Sequence, residues 1–161
     1  MQSFTVVLDA CVLVPVTAAD TLLRLAEREM YRPVWSGRIL DETKRAVKTL
    51  HPELSAEQIK HRFDCMDEAF EDASVSGWES LESSIDLPDE NDRHVVACAL
   101  VAGADAIVTN NIRDFPDKAL APLGIETGRF LARHLRSRAR GVCCADSGAG
   151  QRRNAPTPFR H

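Results

Sequence analysis

No stretch of this 161-residue sequence approaches the roughly 20 consecutive apolar residues that a membrane-spanning helix needs. The N-terminal "MQSFTVVLDA" lacks the basic start and small-residue cleavage site of a secretory leader, so a cytoplasmic protein is expected. C-x-x-C spacing is missing as well. The five cysteines are odd in number, and Cys11, Cys65 and Cys98 fall in segments that read as core. They read as small buried hydrophobes in a reducing compartment rather than a disulfide framework or a zinc site. The five histidines are scattered and give little support to an imidazole metal site. Internal repeats are absent. Positive charge is scarce in the body: residues 1–135 hold 14 Lys/Arg against 23 Asp/Glu, a balance of −9, whereas residues 136–161 hold six Arg and one Asp. An acidic body disfavours passive nucleic-acid binding, which needs a basic footprint to replace phosphate counterions, unless bound cations supply the positive charge.

What is present is a composition of 44% hydrophobic and 27% charged residues, that of a soluble globule with one core. "FTVVL" (4–8) predicts a strand buried on both faces, ended by Asp9. After Pro15, "TAADTLLRLAEREM" places Ala19, Leu22, Leu23, Ala26 and Met30 on one helical face, with Thr17 as candidate N-cap. "RPVWS" is a short extended piece, and Ser36 opens a helix whose buried face carries Ile39, Leu40, Thr43, Val47 and Leu50. "SAEQ" (55–58) matches a capping box ahead of an Ile59, Phe63, Met66, Phe70 stripe. Residues 74–88 are a connection without a clear period. "DENDRHVVACALVAG" predicts a helix stopped by Gly103, "DAIVT" a second buried strand, "NNIRDFP" a loop, "KALAPLG" a short helix, "IET" a third strand and "GRFLARHLR" a last helix. Alternation of strands with helices implies right-handed crossovers and a parallel sheet covered on both faces, in one domain over 1–135. The Arg-rich remainder, 136–161, has no apolar period and predicts a disordered tail.

In such a sheet, functional groups gather at the carboxyl ends of the strands. Asp9 ends the first strand, and Asp114 lies in the loop five residues past Thr109, at the end of "DAIVT". Asp92, in the first turn of the preceding helix, falls at 100° per residue between Val95 and Val96 and faces inward. Asp89 points roughly the same way, as a supporting acid or as a cap. Glu42 lies on the flank of the buried face of its helix. Each has an ordinary alternative: Asp92 and Asp89 as first-turn acids favoured by the helix dipole, Glu42 paired with Lys44 or Arg45, Asp114 closing a turn. Taken together, four carboxylates in one pocket repel and are costly to desolvate, and cations relieve both. Hard oxygen ligands suit Mg²⁺ or Mn²⁺.

"VVLDACVLVP", "RPVWSGRILDE", "LPDENDRHVVACAL" and "ADAIVTNNIRDFP" together resemble the PIN domain, specifically its branch of VapC-like toxin ribonucleases. The blocks stand in the family's order and cover most of residues 5–123. The resemblance implies a three-layer α/β/α fold around a parallel sheet and an Mg²⁺- or Mn²⁺-dependent endoribonuclease. It also implies that Asp9, Glu42, Asp92 and Asp114 form the metal site, with Thr109 and Asn111 supporting them by hydrogen bonds. Such proteins are usually paired with an antitoxin that occludes the site, and they commonly form homodimers. Beyond Gly124 the sequence departs from the pattern: Phe130, Leu131 and Leu135 preserve at most a shortened closing helix.

The expected reaction is hydrolysis of an RNA phosphodiester, with Arg38, Arg93 and Arg113 as candidate phosphate contacts or else solvated surface charges. Its main rival is a PIN-like module that binds RNA or a protein partner without cutting. A phosphatase with a strand-end aspartyl nucleophile lacks its second Asp, because that position holds Cys11. A dinucleotide-binding domain lacks G-x-G-x-x-G after the first strand.

Overall fold

A computed structural model describes residues 4–127. The expected closing helix over 128–136 and the Arg-rich tail lie outside the described residues. Five strands, β1 (Thr5–Leu8), β2 (Arg32–Ser36), β3 (Ser74–Val75), β4 (Ala106–Val108) and β5 (Glu126–Thr127), form one sheet in the order β3-β2-β1-β4-β5. Every pairing is parallel. Val7 lies opposite Val34 on one side and Ile107 on the other, and all four residues of β1 are buried, which is why "TVVL" shows no polar alternation.

The order decides the layers. From β1 the chain winds outward to β2 and β3, then returns across the sheet to β4 and β5. Right-handed crossovers in opposite directions put the intervening helices on opposite faces. One layer holds α1 (Ala10–Leu13), α2 (Val16–Glu27), α3 (Gly37–Leu50) and α4 (Ala56–Ala69); the other holds α5 (Glu79–Glu82), α6 (Arg93–Ala102) and α7 (Asp117–Leu120). The fold is a three-layer α/β/α sandwich. Its strand order reverses between β1 and β4, and the crevice at the carboxyl ends of those two strands is where such sheets hold ligands.

Local chemistry explains most boundaries. Ser55 and Gln58 form the capping box of α4, and Ser36 caps α3 by accepting from the Ile39 amide at 3.2 Å. Phe63 and Met66 of α4 are buried, and truncating Phe63 would cost about 3–5 kcal/mol. Gly103 stops α6 at φ 61°, a left-handed conformation that favours glycine. His94 through Ala99 of α6 are all buried, because the helix crosses β1, β2 and β4 beneath α5.

Several expectations are corrected. Thr17 does not cap α2: the helix starts at Val16 behind Pro15, whose fixed φ of −67° suits a helix entry, so Thr17 lies inside it. Leu50, the last residue of α3, is 64% exposed rather than part of its buried face. Cys65 is exposed and Cys11 half-buried; only Cys98 of the three is fully buried. The connection 74–88 contains the edge strand β3 and the one-turn α5. The helix over 89–103 begins as a 3₁₀ turn at Glu90–Asp92, and Pro122 breaks the short helix over 118–124 into α7 and a 3₁₀ turn. Among the described residues no helix is long and apolar enough to cross a membrane.

Candidate metal centre

Asp9 sits at the β1 end with its carboxylate buried. One oxygen accepts from the Ala10 amide at 2.7 Å, which starts α1; the other accepts from Thr109 Oγ1 at 2.8 Å and from Cys11 Sγ at 3.2 Å. Thr109 follows β4, so this bond spans the switch point between the two strands. The same hydroxyl accepts the Asn111 amide at 3.0 Å, and the Asn111 side chain donates to Asp114. Thr109 and Asn111 thus link the acid after β1 to the acid after β4. Phe115, fully buried, anchors the 3₁₀ turn Ile112–Asp114 that presents Asp114.

Asp89 and Asp92 bracket the turn before α6. Asp89 Oδ1 takes the Asn91 amide at 2.9 Å and the Asn91 side chain at 3.0 Å, a capping role. Asp92 stands in the N-cap position of α6 but makes no cap hydrogen bond. Its carboxylate is turned elsewhere: one oxygen each from Asp89, Asp92 and Asp114 lies within 4.8 Å of the others. Among the described residues Asp92 Oδ2 is buried and has no hydrogen-bond partner. Burial, and then the charges of Asp9, Asp89 and Asp114, push its carboxyl up to about 6.

Glu42 is held differently. Its Oε1 receives His94 Nε2 at 3.1 Å and Arg38 Nε at 3.3 Å. Burial raises its carboxyl, but the hydrogen bonds and charges of His94 and Arg38 outweigh that and leave it below the ordinary carboxylate range. Its carboxylate is already compensated, and it is not among the three acids whose oxygens converge. Arg38 reaches a second acid, Glu82 of α5, at 2.7 Å. Arg93 pairs with Glu90 at 3.1 Å. Arg113 is exposed, beside Asp114, with no ion pair among the described residues.

Sequence reasoning missed three participants. His94 stands between the charged start of its helix and the apolar run that opens at Val95, Cys11 reads as a core hydrophobe, and Glu82 falls in a stretch without a period. None carries a sequence signal. Each is drawn in by a contact between segments far apart in the chain; the Cys11 thiol, which also reaches Asp9 two residues before it, accepts the Asn110 amide at 3.2 Å.

The donor set fits a hard divalent cation. Three carboxylates converge and one oxygen is buried without a partner, an arrangement that is costly unless a proton or a cation completes it. A model of the PIN domain family matches residues 5–113, more than half of the chain. The chain belongs to the PIN domain family. A PIN domain is generally a nuclease module that acts on RNA and typically uses divalent metals. The match stops one residue short of Asp114, so three of the converging or flanking acids, Asp9, Asp89 and Asp92, lie within it together with Glu42. No curated protein and no solved structure matches the chain.

Proposed function

We propose that this PIN domain is an Mg²⁺- or Mn²⁺-dependent endoribonuclease of the VapC-like branch, acting as the toxin of a type II toxin–antitoxin pair. The observation that carries the nuclease reading is the buried Asp92 Oδ2, without a partner among the described residues, in a carboxylate that converges with Asp89 and Asp114. These three acids would hold the ion, with Asp9 against them and Glu42 at the flank. When bound, a divalent ion supplies Lewis acidity, offsetting charge on the phosphate and making water more acidic. The chain's own residues supply position. Thr109 holds Asp9, Asn111 holds Asp114, and the Asp89 cap fixes the turn that carries Asp92. Arg113, without an acid partner among the described residues, meets the phosphate backbone, while Arg38 and Arg93 are committed to carboxylates at rest.

The acidic body agrees with this reading, since bound cations provide the positive charge that RNA binding requires. The toxin role, the antitoxin partner and the homodimer rest on the four sequence blocks. The test is cleavage of an end-labelled RNA by chelator-stripped protein with and without added Mg²⁺ or Mn²⁺. Cleavage restored by the ion and absent in Asp92→Asn is expected. RNA binding without cleavage under all ion conditions would instead favour the non-cutting module. For the toxin role, induced expression should arrest growth, and co-expression of a short reading frame from the adjacent locus should relieve it.

A further inference from the structure

The imidazole of His94 is 1% exposed, on a helix whose next five residues are all apolar and buried. A buried imidazole is costly without hydrogen bonds. Among the described residues His94 has one such bond, from Nε2 to Glu42 Oε1 at 3.1 Å; Nδ1 is buried with none. The Trp78 ring, 5.9 Å away centroid to centroid, packs against it and limits its movement. Packing alone does not account for this residue, because a leucine would fill the space without leaving a polar atom unpaired. The bond to Glu42 does.

That bond has an unusual position. Glu42 belongs to α3 and His94 to α6, helices on opposite faces of the sheet, so it crosses the carboxyl edge and joins the two layers beside the acid centre. Asp92 lies two residues before His94, where the same helix begins. A carboxylate accepts, so Nε2 carries a hydrogen, and together with Arg38 it occupies Oε1. Glu42 is left one oxygen, Oε2, outside these bonds.

We propose that His94 is a positioning residue: it pins Glu42 through Oε1 so that Oε2 is aimed at the ion held by the neighbouring aspartates. This rests on the metal-dependent reading above, and it extends that reading to a residue that touches neither ion nor substrate. Partners that orient metal-binding acids typically change metal affinity by about 10–100-fold when lost.

The test measures Mn²⁺ affinity of the full-length protein, from the electron paramagnetic resonance signal of free Mn²⁺, with folding checked by circular dichroism. His94→Leu, which keeps the volume and removes the donor, should weaken Mn²⁺ binding by about 10–100-fold. His94→Gln, whose amide can reach Oε1, should restore binding to near wild type, and His94→Asn, one methylene shorter, should not. This Gln and Asn pair repeats the comparison if the Leu variant does not fold. His94→Leu combined with Glu42→Ala should bind no more weakly than Glu42→Ala alone, because both remove the same function. Wild-type affinity in His94→Leu, equal losses in Gln and Asn, or a further loss in the double variant would each overturn the assignment. Wild-type protein that binds no Mn²⁺ overturns the metal reading and this assignment with it, so the two failures are distinguishable.

Discussion

Thr109 Oγ1 donates a 2.8 Å hydrogen bond to Asp9 Oδ2, joining residues 100 positions apart across the ends of two adjacent strands. The same oxygen accepts the Asn111 amide, so one hydroxyl sets both the buried acid after β1 and the loop that carries Asp114.

Replacing Thr109 with valine, its near-isostere, removes that hydroxyl and nothing else of size. A buried carboxylate then loses one of its donors, which costs about 1–3 kcal/mol. RNA cleavage should fall about 10–100-fold. Urea unfolding and a cleavage assay on the same preparation check both numbers.

Asp92 gives a prediction with a sign. Its carboxyl is raised from an ordinary 3.8 to about 6, so between those values the folded protein holds a proton that the unfolded chain has released. The contribution of Asp92 to the stability of the metal-free protein should therefore fall as pH rises from about 4 to about 6, read as the difference between wild type and Asp92→Asn, and the deficit should be complete at pH 7. Asp92→Asn removes it. In chelator at pH 7 that variant should be the more stable by about 1 kcal/mol, the full shift being reduced by solvent screening of a half-buried group. Added Mn²⁺ should raise the melting temperature of the wild type and not that of the variant, which should also be inactive. Thermal melts at pH 4 and pH 7, with and without the ion, read every part of this.

Arg113→Ala should weaken RNA binding alike for all sequences and reduce the slope of log affinity against log salt by about 0.7–1. Arg24→Ala, which breaks an exposed pair with Asp20 on α2, should leave that slope unchanged. Fluorescence anisotropy across a salt series with Mg²⁺ present, on an RNA whose backbone resists hydrolysis, distinguishes them.

Ser55→Ala separates stability from function. It removes one half of the capping box of α4 and should cost about 1 kcal/mol in urea unfolding, with RNA cleavage per folded molecule unchanged.

The parts of the fold legible in the sequence were those governed by local rules. The box at Ser55 and Gln58 and the Ser36 cap are reported by residues three apart. The buried β1 strand declares itself by an unbroken run of β-branched side chains, and Gly103 stops α6 because only a left-handed residue can turn the chain there. The two-residue edge strand β3 was not legible, since Ser74 and Val75 carry no periodicity and become a strand only by pairing with Trp35 and Ser36. Thr17 misled for a related reason. A good capping residue is overruled when proline one position before the helix sets its start.

The candidate site divides in the same way. Sequence alone named Asp9, Asp89, Asp92 and Asp114 as acids at strand ends and helix starts, because those positions follow from the order of apolar runs, whereas Thr109 and Asn111 were named through the resemblance to the PIN domain. Only the tertiary structure decided which oxygens converge. It set Asp89 with Asp92 and Asp114, gave one oxygen of Glu42 to His94 and Arg38, and committed two of three candidate arginines to carboxylates. The reason is physical: periodicity fixes which face of an element a side chain occupies, but neighbours from distant segments determine whether a charge is met by a cation of the protein or left open for one from solution.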